Sequence, residues 1–172
     1  MKAALLTAAG LGALVFFATS KKVQNLMPQG KAQAQHLSSL RAPVAAKATE
    51  LLGDVSAALD KTLLLVQSFR SAADQAALYA QGRTAPGKIV TYAKPGSSYH
   101  EWGLAFDVAI ADAHGQPSWP NDVSLWTQIG KLGEELGLTW GGRFPSPDYG
   151  HFELRIPGEG PGQSQPPGAP VA

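Results

Sequence analysis

Residues 103–110, Gly-Leu-Ala-Phe-Asp-Val-Ala-Ile, read as a buried strand, and the acid inside it constrains the fold more than any other feature of the chain. A carboxylate in an apolar run is costly unless it is ion-paired, hydrogen-bonded or bound to a metal. Asp107 therefore demands a partner. His100 lies shortly upstream in Ser98-Tyr99-His100-Glu101-Trp102, and a second histidine follows much later in Asp148-Tyr149-Gly150-His151-Phe152-Glu153. A salt bridge to an arginine would satisfy Asp107 equally well. Spacing alone leaves the two solutions open.

The metal solution has a definite chemistry. A catalytic Zn²⁺ takes three nitrogen or oxygen ligands and keeps a fourth position for water, whose pKa falls to about 7. His100, Asp107 and His151 supply two imidazoles and one carboxylate, which fits that open arrangement. The chain has no cysteine, so a closed thiolate site is excluded, as is a disulfide framework. Asp148, just before His151, is the preferred general base for the water. Glu153 is its rival, because alternate side chains of a strand share a face and Glu153 would lie on the His151 side. The other two histidines, His36 and His114, read as ordinary hydrogen-bonded residues.

Periodicity supplies the scaffold. Apolar residues recur at helical spacing over residues 31–60, with Pro43 dividing the stretch into two helices that pack behind a sheet. Residues 62–69 read as a strand that delivers Arg70, and Ser71 caps a helix running to Gly82. Residues 83–98 form a long loop with Pro86, Gly87, Pro95 and Gly96, placed to border a substrate groove. A helix is expected over 120–136 with Gly137 as its stop, then short strands over 138–140 and 151–156. The sum is an α+β domain with a small antiparallel sheet and flanking helices over residues 31–157.

Both ends differ in character. Residues 3–20 form an uncharged stretch between Lys2 and Lys21-Lys22, which predicts a membrane anchor or export signal over residues 1–22, with an uncleaved anchor preferred because Phe16 spoils a small-x-small cleavage site. Lysines flank it on both sides, so orientation stays open. Residues 158–172 are Pro, Gly, Gln and Ser with little to bury, and disorder is expected there. At 172 residues the chain supports one compact domain with extensions, and its net charge of +1 carries no nucleic-acid signature. No Gly-x-Ser-x-Gly elbow is present, which removes a serine-hydrolase reading.

The pattern Ser-x-His-x-x-Gly-x-Ala-x-Asp from Ser98 to Asp107, then Trp140-Gly141-Gly142, then Asp-x-x-His-Phe-Glu from Asp148 to Glu153, resembles the M15 zinc peptidases. These are the D-alanyl-D-alanine carboxypeptidases and L-alanyl-D-glutamate endopeptidases, and the endolysin-like branch is the most similar. Upstream, Ser68-Phe69-Arg70-Ser71 with residues 75–83, and Pro86-Gly87-Lys88-Ile89-Val90-Thr91, extend the likeness over roughly residues 60–156. The resemblance implies a Hedgehog/DD-peptidase-like fold, zinc on His100, Asp107 and His151, and Asp148 as base. It further implies Arg70 on the substrate carbonyl or developing oxyanion, a role suited to a guanidinium that stays charged. An ion pair with Asp74 is the plainer reading of Arg70. Ser98 near the metal or substrate and Trp140 in the pocket wall complete the implied site. Ser-Phe before Arg70 and Arg143 after the double glycine depart from the family pattern, which bears on substrate preference rather than on the ligands.

The function implied is zinc-dependent hydrolysis of peptidoglycan stem peptides, at the L-alanyl-D-glutamate bond, in wall degradation or phage lysis. A D-alanyl-D-alanine carboxypeptidase or dipeptidase shares every residue named, and a non-catalytic zinc-bearing wall-binding module is the reading from another class. The expected setting is the cell envelope, periplasmic or at the outer membrane face, with a bacterial or a phage origin equally open. The protein is expected to act as a monomer, with the membrane engaged through the N-terminal segment.

Overall fold

The computed structural model describes residues 27–163. The expected anchor over residues 1–22 lies outside them, and among the described residues no helix is long and apolar enough to cross a membrane. Two helices open the described chain, α1 (Met27–Ser38) and α2 (Ala42–Leu59), and Pro43 stands in the first turn of α2. Proline is tolerated there because the first N–H groups of a helix have no intrahelical partner. Helix α2 buries Val44, Ala48, Leu51 and Val55, a single stripe at helical spacing. It ends at Asp60, whose positive φ of 49° turns the chain into the first strand.

The sheet is antiparallel throughout, with β1 (Leu63–Gln67), β2 (Ala105–Ala111), β3 (Pro117–Ser118), β4 (Thr139–Trp140) and β5 (His151–Glu153). Its order is β1-β2-β5-β4, with β3 joined to β2 beyond the β5 pairing. Register decides the site: Asp107 on β2 stands opposite His151 on β5, and Gln67 opposes Asp107 from the other side after an irregularity between Leu65 and Gln67. The outer edge of β1 is occupied by a side chain. Gln33 of α1 accepts from the Leu65 N–H at 2.6 Å and donates to the Leu63 carbonyl at 3.3 Å.

Helix α3 (Ala72–Ala80) follows β1, and the Ser71 hydroxyl accepts from the Asp74 N–H, as expected of its cap. Helix α4 (Val123–Glu135) is capped by the Asp122 carboxylate and lies against the sheet through Trp126 and Ile129. Two glycines let it approach. A Cβ on Gly130 would fall 2.3 Å from the Trp140 ring, and one on Gly133 would fall 2.4 Å from the Phe152 ring. Phe152 in turn stacks on Phe106, with centroids 5.7 Å apart, at the centre of a core completed by Leu51, Leu104 and Val108.

The α+β architecture with a small antiparallel sheet is the one expected from the sequence. Details differ. The last strand stops at Glu153 rather than 156; the Leu154 N–H still donates to the Leu104 carbonyl, in register with the β2–β5 pairing, and the ladder ends there. The start of the expected disordered tail is seated: Glu159 pairs with Arg41, and Gly160 lies buried against Tyr99 and Leu104. Residues 164–172 fall outside the described residues.

Candidate metal centre and its cleft

His100 sits on a short 3₁₀ turn, Tyr99–Trp102, that precedes β2. The turn is held by a buried acid: the Glu101 carboxylate accepts the Gly96 N–H at 2.9 Å and the Ser98 N–H at 3.1 Å. The segment after β1 grips the same histidine twice. The His100 ring Nδ1 donates to the Ser68 carbonyl at 2.7 Å, and the His100 carbonyl accepts from the Arg70 N–H at 3.2 Å. A carbonyl can only accept, so the ring proton is on Nδ1 and the lone pair of neutral His100 is on Nε2.

His151 is fixed in the opposite sense. Its Nε2 donates to Glu153 at 3.2 Å, while Glu153 also accepts from Arg155 Nε at 2.8 Å. The lone pair of neutral His151 is therefore on Nδ1. That atom lies 3.0 Å from Asp107 Oδ1 and 3.3 Å from His100 Nε2, and His100 Nε2 lies 3.3 Å from Asp107 Oδ1. Three lone pairs thus point at one another inside a mostly buried site. In a tetrahedron with bonds of about 2.0–2.1 Å, ligand atoms are about 3.3–3.4 Å apart. The donor set fits a small divalent cation in both chemistry and size, and the outer partners Ser68 and Glu153 orient the ligands.

Without a cation a proton must take its place. Burial works against charge on both Asp107 and His151. The neighbouring imidazoles nonetheless hold the Asp107 carboxyl well below its usual range, and Asp107 and Glu153 raise the His151 pKa to about 9.

Asp148 stands next to this triangle on an exposed loop held by Gly141. The Asp148 N–H donates to the Gly141 carbonyl at 3.0 Å, and a Cβ on Gly141 would fall 2.5 Å from the Asp148 carbonyl oxygen. Surrounding protein raises the Asp148 pKa first, and the Asp107 charge adds to it against the opposing pull of the two histidines. A carboxyl with a raised pKa and access to the cleft is suited to taking and returning a proton. Glu153, the rival base, is buried and already committed to His151 and Arg155.

All three candidate ligands, with Asp148, Arg70 and Ser98, line one cleft of about 740 Å³. Arg70 does not pair with Asp74, whose carboxylate accepts from the Ser71 hydroxyl; its Nη1 donates to Gln75 at 2.8 Å, and its buried Nε has no partner among the described residues. Trp140 does not line the cleft. It is a core residue, 2% exposed, with its Nε1–H given to the Tyr149 carbonyl and its ring filling the space left by Gly130. The expected pocket-wall role of Trp140 is thereby corrected. Gln75 was missed as part of the site: fully buried, it joins Arg70 to the Ala93 carbonyl at 2.7 Å. A lone glutamine on the inner face of α3 was the available signal.

Comparison with known proteins follows the same lines. A family model described as D-alanyl-D-alanine carboxypeptidase matches residues 91–154, which contain the whole His-Asp-His triangle and Asp148. The chain is 40% identical over 102 residues to the peptidoglycan L-alanyl-D-glutamate endopeptidase CwlK of Bacillus subtilis (strain 168), a match covering 54% of this chain and 60% of that protein. The chain thus spans about 60% of that relative's length. Its fold is similar to the crystal structure of the Serratia marcescens L-Ala D-Glu endopeptidase ChiX, with a TM-score of 0.51 and 22% identity over 72% of this chain and 86% of that one. The motif-bearing segment 91–154 is thus similar to the D-alanyl-D-alanine carboxypeptidase family, and it contains every candidate ligand.

Proposed function

We propose that the protein is a zinc-dependent peptidoglycan peptidase that hydrolyses the bond between L-alanine and the D-configured acidic residue of stem peptides, acting at the cell envelope. The observation that carries this reading is the convergence of three lone pairs, on His100 Nε2, Asp107 Oδ1 and His151 Nδ1, beside an accessible carboxyl in one cleft. Similarity to an L-alanyl-D-glutamate endopeptidase over 102 residues favours that bond among those of the stem peptide.

His100, Asp107 and His151 would hold the zinc, which supplies Lewis acidity and makes water nucleophilic near neutral pH. Asp148 takes the proton of the attacking water and returns it to the leaving nitrogen. Arg70 presents its N–H groups where negative charge grows on the carbonyl oxygen, a stabilisation strengthened by partial exclusion of water. Ser68 and Glu153 keep both imidazoles in the tautomer that aims a lone pair inward. Glu101 and Gln75 hold the turn and the guanidinium in place. Ser98, 8% exposed at the cleft wall, contacts the bound peptide.

The test is mass spectrometry of defined muropeptides incubated with the full chain, with zinc and with a chelator. Zinc-dependent separation of L-alanine from the rest of the stem peptide is expected. Release of terminal D-alanine instead would make the protein a D,D-carboxypeptidase, and zinc binding with no cleavage would leave a wall-binding module.

A further inference from the structure

Resting on the peptidase reading, we propose that residues 89–93 are an edge on which the substrate peptide lies extended, bound through the backbone N–H and C=O groups of Val90 and Tyr92. All five residues line the cleft that holds the His-Asp-His triangle. From residue 88 to residue 94 the chain has no turn, bend or helix. In an extended chain successive residues direct their backbone polar groups to opposite sides.

One side of this segment is already taken. The Thr91 carbonyl accepts from Arg83 Nη2 at 3.1 Å, and the Ala93 carbonyl accepts from Gln75 Nε2 at 2.7 Å. Both donors lie on or just after α3, so Thr91 and Ala93 face the body. Val90 and Tyr92 face away from it, and their backbone groups have no partner among the described residues. Exposure alternates in step: Val90 is 54% exposed and Tyr92 76%, with Thr91 and Ala93 half-buried between and beside them. An extended segment pinned along one side and open along the other is the arrangement that accepts an added strand.

Charge indicates what kind of peptide. Residues 76–100 carry Arg83, Lys88 and Lys94 and no acid, and Arg70 lines the cleft close to the same segment, joined to Ala93 through Gln75. A peptide bearing carboxylates is drawn to such a wall, and the acidic residue of the stem peptide supplies them. The same Gln75 that pins Ala93 also holds Arg70, so the docking edge and the guanidinium share one support.

The full chain carrying Asp148→Asn, ¹⁵N-labelled and loaded with zinc, would be titrated with the tripeptide L-alanyl-γ-D-glutamyl-L-lysine. The Val90 and Tyr92 amide protons should shift and exchange with solvent about tenfold more slowly at saturation, as a new hydrogen bond requires, while those of Thr91 and Ala93 stay unchanged. In the otherwise unaltered enzyme, Tyr92→Pro removes one outward donor and should raise KM about tenfold with kcat and zinc affinity unchanged. Binding with protection at other amides, or an unchanged KM in folded Tyr92→Pro, overturns the docking edge and leaves the peptidase reading standing. A wild-type chain that cleaves no muropeptide, with a variant that binds no tripeptide, overturns both.

Discussion

The two sides of the cleft are built by different means. On the sheet side, backbone register sets Asp107 against His151, and the residues flanking them on β2 and β5 are buried in the common core. On the loop side, residues 83–98 contribute almost nothing to the core and are held by a few long side chains, chiefly Arg83, Gln75 and Glu101. A ladder cannot shift by one residue without turning every side chain to the other face. A stapled loop can be altered one staple at a time. The candidate ligands Asp107 and His151 are thus fixed to the part of the molecule least able to change, and the proposed contact with substrate to the part most able to.

That contrast can be broken at its firm end first. Asp107→Asn removes the charged ligand and should abolish turnover, lowering zinc affinity by more than about a hundredfold, beyond what loss of an outer partner costs. Competition with a chromophoric chelator measures it. Zinc entry should also be proton-linked: His151 of the metal-free protein keeps its second proton up to a pKa of about 9. At pH 7 about one proton leaves per zinc bound, and affinity falls as the pH is lowered. Calorimetry in buffers of different ionisation enthalpy counts that proton.

Asp148→Asn should cut turnover by about 10²–10⁴-fold and leave zinc binding intact. Because the surrounding protein raises the Asp148 pKa, the metal-free fold holds its carboxylate less favourably than the unfolded chain does. The neutral amide should therefore raise Tm slightly, and a lowered Tm would contradict the assignment of that strain. Glu153→Ala frees His151 Nε2 and should weaken zinc binding about 10–100-fold, with a smaller loss of activity at saturating zinc. At the soft end, Arg83→Ala removes the hold on Thr91 and the stacking on Tyr79; it should raise KM several-fold while Tm and zinc affinity stay near wild type, because the staple is exposed.

The firm side was also the more legible in sequence. Asp107 in an apolar run announces a buried carboxylate that needs partners; spacing leaves an arginine or a metal site open, and the resemblance points to the histidines. The helices around Pro43, the Ser71 cap and the strand before Arg70 follow from local rules of spacing and capping, which is why they emerge with errors of only a few residues. Trp140 was misread because its place depends on Gly130, a residue on another element with no local link to it. Two-residue β3 has too little pattern to detect, and it exists only as a partner of β2. The seating of Glu159 and Gly160 depends on Arg41 and Tyr99, so their composition alone pointed the other way. Gln75 and Gln33 share a cause: an uncharged amide looks indifferent in sequence, and its value is set by which backbone groups come within reach.

Gln33 has a consequence for the protein among its neighbours. An outermost strand with unpaired amides invites another chain to continue the sheet, the first step toward aggregation. Here the primary amide of Gln33 imitates a peptide unit, giving one acceptor to Leu65 and one donor to Leu63. A single side chain thus closes the β1 edge of the sheet to an added strand.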